Sequence, residues 1–459
     1  MLNRKLFRRK TVSELQAEAA ADHSLRRALS ALSLTTLGIG AIIGTGIFVL
    51  TGTVAALHSG PAIVLSFAIA ALGSGFAALC YAEFASLVPM AGSAYSYGYA
   101  TLGEVIAWMI GWTLVLEYTL GAVTVATGWS QHVVGFLHDI GVIVPAWFGN
   151  LPAVFLIVLL TALLVVGLKA AASVNNLLVF VKVAVVLLFI VGAAHAINVA
   201  NWEPFVPPQT SFGWSGVLTG VAMVFFSYIG FDAVSTAAQE ARNPQRDIPI
   251  GIIGSLCICT VLYILVAAIA TGVVRYSELN VPDPIGLVAE RAGLGWIAML
   301  IKLGGIAALT SVVLVLLFGQ SRVFYAMARD GLLPTALGSV HPRFRTPYVS
   351  SLGAGAAVAL VTALVPTAEV AGLVSLGTLL AFASVSIGVV VLRVREPHLP
   401  RPFKTPAVWF VAPAGLVSSV YLMASLTAVT WARFAIWLGL GLAIYLSYGV
   451  HKSKLASRL

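Results

Sequence analysis

Apolar stretches near 20 residues long recur from residue 32 to residue 450, separated by short polar joints. A stretch of about 20 apolar residues crosses the hydrocarbon core of a bilayer as an α-helix. The pattern therefore predicts twelve transmembrane helices, over roughly 32–57, 61–87, 101–134, 151–168, 174–198, 214–238, 248–273, 294–327, 348–366, 370–393, 408–430 and 433–450. No polar block is long enough for a separate soluble domain, so the fold class is an all-α integral membrane protein.

Two of the predicted spans are interrupted. The first carries Gly38-Ile39-Gly40-Ala41-Ile42-Ile43-Gly44-Thr45-Gly46-Ile47-Phe48. Each glycine costs roughly 1 kcal/mol relative to alanine inside a helix, and a backbone group freed in lipid finds no water. Such a run is tolerable where loose backbone lines a polar cavity. The sixth span carries the second interruption, Phe225-Phe226-Ser227-Tyr228-Ile229-Gly230-Phe231-Asp232, with a glycine beside a carboxylate. Spans 1–5 and 6–10 thus form two blocks that each open with a broken helix, and an odd number of spans per block orients the blocks oppositely. That is the pattern of an inverted-repeat transporter with its site near the midplane. The predicted organisation is a basic N-terminal segment (1–30), a first repeat (31–200), a second repeat (201–395), and a peripheral helix pair with the C-terminal tail (396–459).

Composition agrees with this reading. The chain is 59% hydrophobic and 9% charged, with a mean hydropathy of +0.99, where a soluble domain carries about 25% charged residues. The first thirty residues, with Arg4, Lys5, Arg8, Arg9, Lys10, Arg26 and Arg27, have no apolar core, so no cleavable signal peptide is expected. Of the 26 Lys and Arg residues, 21 fall at the termini and in the loops on their side of the predicted topology. The positive-inside rule then places both termini in the cytoplasm of a multi-pass plasma-membrane protein. The net charge of +9 is accounted for as an orientation signal and requires no nucleic-acid partner. Cys80, Cys257 and Cys259 lie in apolar segments, so no disulfide, internal or to a linked subunit, is expected. No metal-ligand cluster, nucleophile system or phosphate-binding loop is legible, so neither enzymatic activity nor a cofactor is expected.

The half-helix beginning near Gly46 would turn its N–H groups and positive dipole end toward the cavity, an arrangement suited to a carboxylate. Thr45 can add a hydroxyl. Carbonyls around Phe226 and Ile229 on the opposing break would accept an ammonium. A zwitterionic α-amino acid matches both ends.

The first-span run resembles the signature of the amino acid–polyamine–organocation superfamily. Tyr81-Ala82-Glu83-Phe84 with Pro89-Met90-Ala91-Gly92-Ser93-Ala94-Tyr95 resembles that family's junction between the second and third helices. Gly230-Phe231-Asp232, the stretch Gln239 to Pro249 and the stretch Arg322 to Pro334 are similar to its cationic amino acid transporter branch. The resemblance implies a five-plus-five, leucine-transporter-like fold with discontinuous helices 1 and 6. It implies carboxylate binding at Gly44, Thr45 and Gly46, with Ile43 in the same break. The amine would meet carbonyls of Ile42, Phe226 and Ile229, and Phe226 would gate the substrate with Phe231 as a second aromatic. The implied activity is secondary active transport of L-amino acids, cationic ones within range, by alternating access and proton symport. The alternatives are an exchanger or antiporter, or a sensor that binds without translocating.

Ionisable residues inside spans are functional by default. Lys182 lies mid-span in the fifth helix, where proton-coupled members of the family hold a lysine in the place of a sodium ion. It is the candidate ion-coupling residue, the other reading being a tie between that helix and the opened first helix. Glu117 and Asp232 are further candidates for proton relay, or for structural hydrogen bonds to an opened helix. Glu83 and Glu104 are expected to cap or gate at span ends, and Lys302 to snorkel. Ser321 is a candidate for opening space beside the substrate side chain, as against plain helix packing. The expected partners are L-amino acid, protons and the lipid bilayer.

Overall fold

The computed structural model describes residues 8–22, 24–142, 144–145, 148–364 and 371–455. Arg4, Lys5 and Arg458, and the span ends expected at 366 and 370, lie outside the described residues. Every regular element among them is helical, and the one β-type contact is a single bridge between Leu29 and Ala241. Eight helical segments are long and apolar enough to cross a membrane, and four shorter ones, Ala31–Ile42, Leu151–Val166, Tyr348–Leu364 and Val408–Ala424, are equally apolar.

In chain order the principal helices are α1 (Val12–Ala21), α2 (Ala31–Ile42), α3 (Ile63–Leu87), α4 (Ala94–Thr101), α5 (Glu104–Asp139), α6 (Leu151–Val166) and α7 (Leu168–Ala193). There follow α8 (Gly213–Phe225), α9 (Pro244–Val273), α10 (Pro284–Arg291), α11 (Gly295–Arg329), α12 (Tyr348–Leu364), α13 (Ala371–Arg395), α14 (Val408–Ala424) and α15 (Ala428–Ile444). Their faces show which are central. The most apolar windows of α5 and α11 are 72% buried, against 17% for the segment Ala428–Lys452 that contains α15. An outward apolar face is paid for by lipid contact, so α15 lies at the periphery. α7 is two-sided: Leu177, Phe180, Leu187 and Val191 are exposed, while Lys182 on the opposite face is fully buried.

The centre is built where α9 packs on α2 and α3, α11 packs on α5 and α7, and α2 is held between α7 and α9. α1 does not continue into the bundle. A Thr11–Glu14 capping box starts it, and Val12, Leu15 and Ala19 are buried against the body of the protein. The basic N-terminal segment is, in its described part, a docked helix.

Candidate functional site

Both predicted interruptions are real breaks, and they touch. α2 stops at Ile42; Ile43 has extended backbone (φ −74°, ψ 101°), and helix resumes at Gly46 in wide π-type turns. On the other side α8 ends at Phe225, Phe226–Tyr228 form one tight turn, Ile229 is extended, and Gly230 adopts φ +119°. A Cβ on Gly230 would lie 2.7 Å from Ala41 Cβ, and one on Gly46 would lie 2.3 Å from Ser227 Cβ. Two glycines therefore let the unwound segments meet backbone to backbone, the first by its dihedral freedom as well as its size.

Carbonyls released by the first break are satisfied by side chains, as buried backbone requires. Lys182 Nζ donates to the carbonyls of Gly40 and Ile43, both at 2.9 Å, and to Ser311 Oγ at 2.7 Å. Tyr263 OH stands 2.7 Å from the Ile42 carbonyl and 3.0 Å from that of Ser227, so one hydroxyl spans the two breaks. Of the three carbonyls expected to hold an amine, that of Ile42 thus has a partner in Tyr263, and that of Phe226 accepts the Ile229 N–H at 3.3 Å. Tyr263 and Ser311 were not singled out from the sequence. Their signal is a hydroxyl within an otherwise apolar span, but only the fold shows which carbonyl each one faces.

Between the breaks lies a cavity of about 40 Å³, room for about three water molecules. Ile42, Gly44, Thr45, Gly46, Phe226, Ile229 and Glu117 line it, with Ala41, Val125, Val312, Leu316 and Val374 as apolar walls. Ile43 is buried beside the cavity without lining it. Phe231 and Ser321 do not line it either. Phe231 packs between Tyr81 and Phe382, and Ser321 Oγ receives Arg322 while donating to the Phe318 carbonyl. Asp232 is also set back, accepting Tyr118 OH at 2.8 Å. Among the described residues, neither carboxyl oxygen of Glu117 and only one of Asp232 has a hydrogen-bond partner, although both residues are buried. Two buried carboxyl groups with unspent oxygens are suited to holding a proton or a cation.

The two sides of the cavity differ. Thr45 and Phe226 also line a vestibule of about 810 Å³, which runs past Thr127, Gln131 and His132 toward the end of α5 remote from both termini. On the terminal side the path is filled. Arg322 and Glu240, each 1% exposed, form a bidentate pair at 2.8 and 3.1 Å, and the guanidinium lies 3.7 Å from the centroid of Phe318. Beyond it the N-terminal segment is strapped down: the Ala28 and Leu29 N–H groups bind the Glu240 carbonyl, and Lys10 bridges Glu18 (2.7 Å) and Asp330 (2.6 Å). Burial opposes the Lys10 ammonium, but Asp330 and Glu18 outweigh it, and its pKa stands above the usual lysine value. Glu83 binds Arg393 and Arg401, Glu104 receives Tyr99, Tyr445 and Ser453, and Lys302 pairs with Asp139. The structure is closed toward the termini and open on the opposite side.

Two facing helix breaks around a small cavity, with a vestibule on one side and an ionic plug on the other, define a membrane permease. The chain belongs to the amino acid permease family, whose model matches residues 29–444. It is 47% identical to the branched-chain amino acid permease BcaP of Bacillus subtilis, covering 98% of this chain and 99% of that protein. It is 43% identical to the methylthioribose transporter of the same organism, with 98% and 99% covered. To the vacuolar cationic amino acid transporter 4 of Arabidopsis thaliana it is 38% identical, over 85% of this chain and 68% of the relative.

Tyr263→Phe removes the one hydroxyl shared by both breaks. A lost buried hydrogen bond costs about 1 kcal/mol, more where an acceptor is stranded. The expected result is a lower thermal midpoint and a several-fold slower uptake in proteoliposomes, with the substrate ranking unchanged. Wild-type values of both quantities would show the bridge to be idle.

Proposed function

We propose that this protein is a secondary active transporter of L-amino acids in the plasma membrane, working by alternating access and proton symport. In this reading Leu151–Val166, Tyr348–Leu364 and Val408–Ala424 also cross the bilayer, and Ala31–Ile42 joins the part of Gly46–Leu87 before Gly60 to make the broken first span, giving twelve spans in two inverted five-helix repeats (31–200 and 201–395) with both termini cytoplasmic. The observation that carries it is the contact of the two helix breaks around a cavity that offers Gly44, Thr45 and Gly46 to a carboxylate and the second break to an ammonium.

The side-chain preference follows from the walls. Val125, Val312, Leu316 and Val374 face the cavity, so burial of an aliphatic side chain contributes about 25 cal/mol per Å². Branched-chain and other neutral L-amino acids are the proposed substrates, in line with the name of the relative at 47% identity. Glu117, the one carboxyl group on the cavity wall, supports a second reading in which cationic amino acids are also carried. Lys182 is the proposed coupling residue, with Glu117 and Asp232 as the proton-holding pair behind it.

Uptake into proteoliposomes tests these points, with a competition panel of all twenty L-amino acids and methylthioribose at two pH values. Leucine, isoleucine and valine are expected to compete best, with stronger accumulation when the outside is acidic. Competition by arginine and lysine alone would replace the first reading with the second. Competition by methylthioribose alone would reject the amino acid assignment. Counterflow without any response to a pH gradient would make the protein an exchanger, and binding without entry would make it a sensor.

A further inference from the structure

The terminal face carries a second concave feature, separate from the transport cavity and from the ionic plug. It is a groove of about 1080 Å³ between α1, the end of α3, the start of α9 and the loop that joins α13 to α14. Arg27, Arg242, Arg246 and Arg401 line it, and no aspartate or glutamate does. The four guanidinium groups are not equally committed. Arg401 is buried, tied to Glu83 and to the carbonyls of Leu392, Glu396, Pro397 and Leu399. Arg27 and Arg242 each give one hydrogen bond to a carbonyl, those of Ala19 and Ala28, and are otherwise exposed. Arg246 is exposed and makes no side-chain hydrogen bond or ion pair among the described residues. Asp247, the acid nearest in sequence, is buried and accepts the Asn243 N–H instead.

Three guanidinium groups held around one groove with no carboxylate between them repel one another, and an anion relieves that repulsion. The guanidinium fork matches phosphate geometry better than any other side chain. The N-terminus of α9, a 30-residue helix, also opens at Asn243 and Pro244 in the wall of the groove and adds its positive dipole end.

The position of the groove selects the source of the phosphate. Four residues after Arg246 comes Ile250, and along the same helix Ile258, Val261 and Leu265 are exposed apolar residues. In a membrane permease such a stripe faces acyl chains, so the groove sits at headgroup depth directly above a lipid-facing surface. We propose that this groove binds the phosphate of an anionic phospholipid, with Arg27, Arg242 and Arg246 as its ligands and the acyl chains lying along the exposed stripe of α9. Because α1 forms one wall and leads by way of Arg27 to the strand-like contact at Leu29, the bound lipid holds the N-terminal segment against the terminal face.

The test uses the full-length protein purified in detergent. Thermal unfolding is followed while dioleoylphosphatidylglycerol, dioleoylphosphatidylcholine or inorganic phosphate is added, and lipid retention is read by native mass spectrometry. Wild type is expected to gain stability and retain phosphatidylglycerol, with no equivalent effect of phosphatidylcholine. One basic residue near an anionic surface corresponds to about fivefold in affinity. Arg242→Gln combined with Arg246→Gln should therefore weaken phosphatidylglycerol binding by about 25-fold, and the corresponding double Lys variant should retain most of it. Arg246→Gln alone, which removes no contact within the protein, should show about fivefold and serves if the double variant does not fold. Equal phosphatidylglycerol binding by wild type and the Gln variants would overturn the site. Equal protection by phosphatidylcholine, or by inorganic phosphate at matched concentration, would overturn the assignment to an anionic lipid.

Discussion

Lys182→Ala is expected to abolish accumulation of substrate driven by an imposed pH gradient while leaving measurable counterflow. The ammonium is fully buried, and its three hydrogen bonds go to Gly40, Ile43 and Ser311, none of which is an acid. A buried cation without a carboxylate partner is held only by dipoles, so loss of its proton does not break an ion pair. Deprotonation would also weaken the grip on the first break, which links the proton to the backbone proposed to bind substrate. Removing the amine strands the Ile43 carbonyl at about 1–3 kcal/mol, while that of Gly40 keeps Ser311 Oγ at 3.0 Å, so the variant is expected to be less stable as well. The two effects separate in the assay. Gradient-driven accumulation should fall at least tenfold more than counterflow at equal pH. Parallel loss of both would reduce Lys182 to a tie between α7 and the broken helix, and undiminished accumulation would remove it from coupling altogether.

The second large effect is expected from Arg322→Leu. Its guanidinium and the Glu240 carboxylate are among the most deeply buried charges in the chain, and breaking such a pair by removing one partner costs about 3–5 kcal/mol. The loss should appear in thermal unfolding as a fall of several degrees, and Glu240→Gln in the same chain should restore part of it by removing the stranded charge. A functional signature should accompany it. The Glu240 carbonyl receives Ala28 and Leu29, so loosening this turn frees the N-terminal strap and opens the terminal side. Cysteines introduced near the pair should then become more reactive to water-soluble thiol reagents. Wild-type stability in Arg322→Leu would show that the pair is not what closes this side.

The helical breaks were legible because glycine density and apolar context conflict. A run such as Gly38 to Phe48 is costly unless it lines a cavity, and the structure brings Gly44, Thr45 and Gly46 to one. Phe231 and Ser321 show the limit of the same reasoning. Each lies close in sequence to a site element, yet Phe231 follows the turn at Gly230 and Ser321 sits on a helix whose successive residues turn through about 100°, so the two face aromatic packing and Arg322. Tyr263 lies 36 residues from Ser227 in the chain and 221 from Ile42. No local pattern joins residues at such separations.

What the sequence determined by itself is what depends on single residues and short periods. Apolar length marks the membrane-spanning helices, glycine runs mark where they break, and the bias of arginine and lysine predicts the orientation. Each of these follows from the cost of placing a group in lipid, which needs no knowledge of its neighbours. Tertiary structure decided which carbonyls Lys182 and Tyr263 satisfy, that Arg322 finds Glu240, that α1 docks across the terminal face, and that the cavity is walled by three valines and a leucine from three helices. Those outcomes depend on which distant groups come within 3 Å of one another. Hydrogen bonds and ion pairs act only at that range, and the packing of the whole bundle sets it.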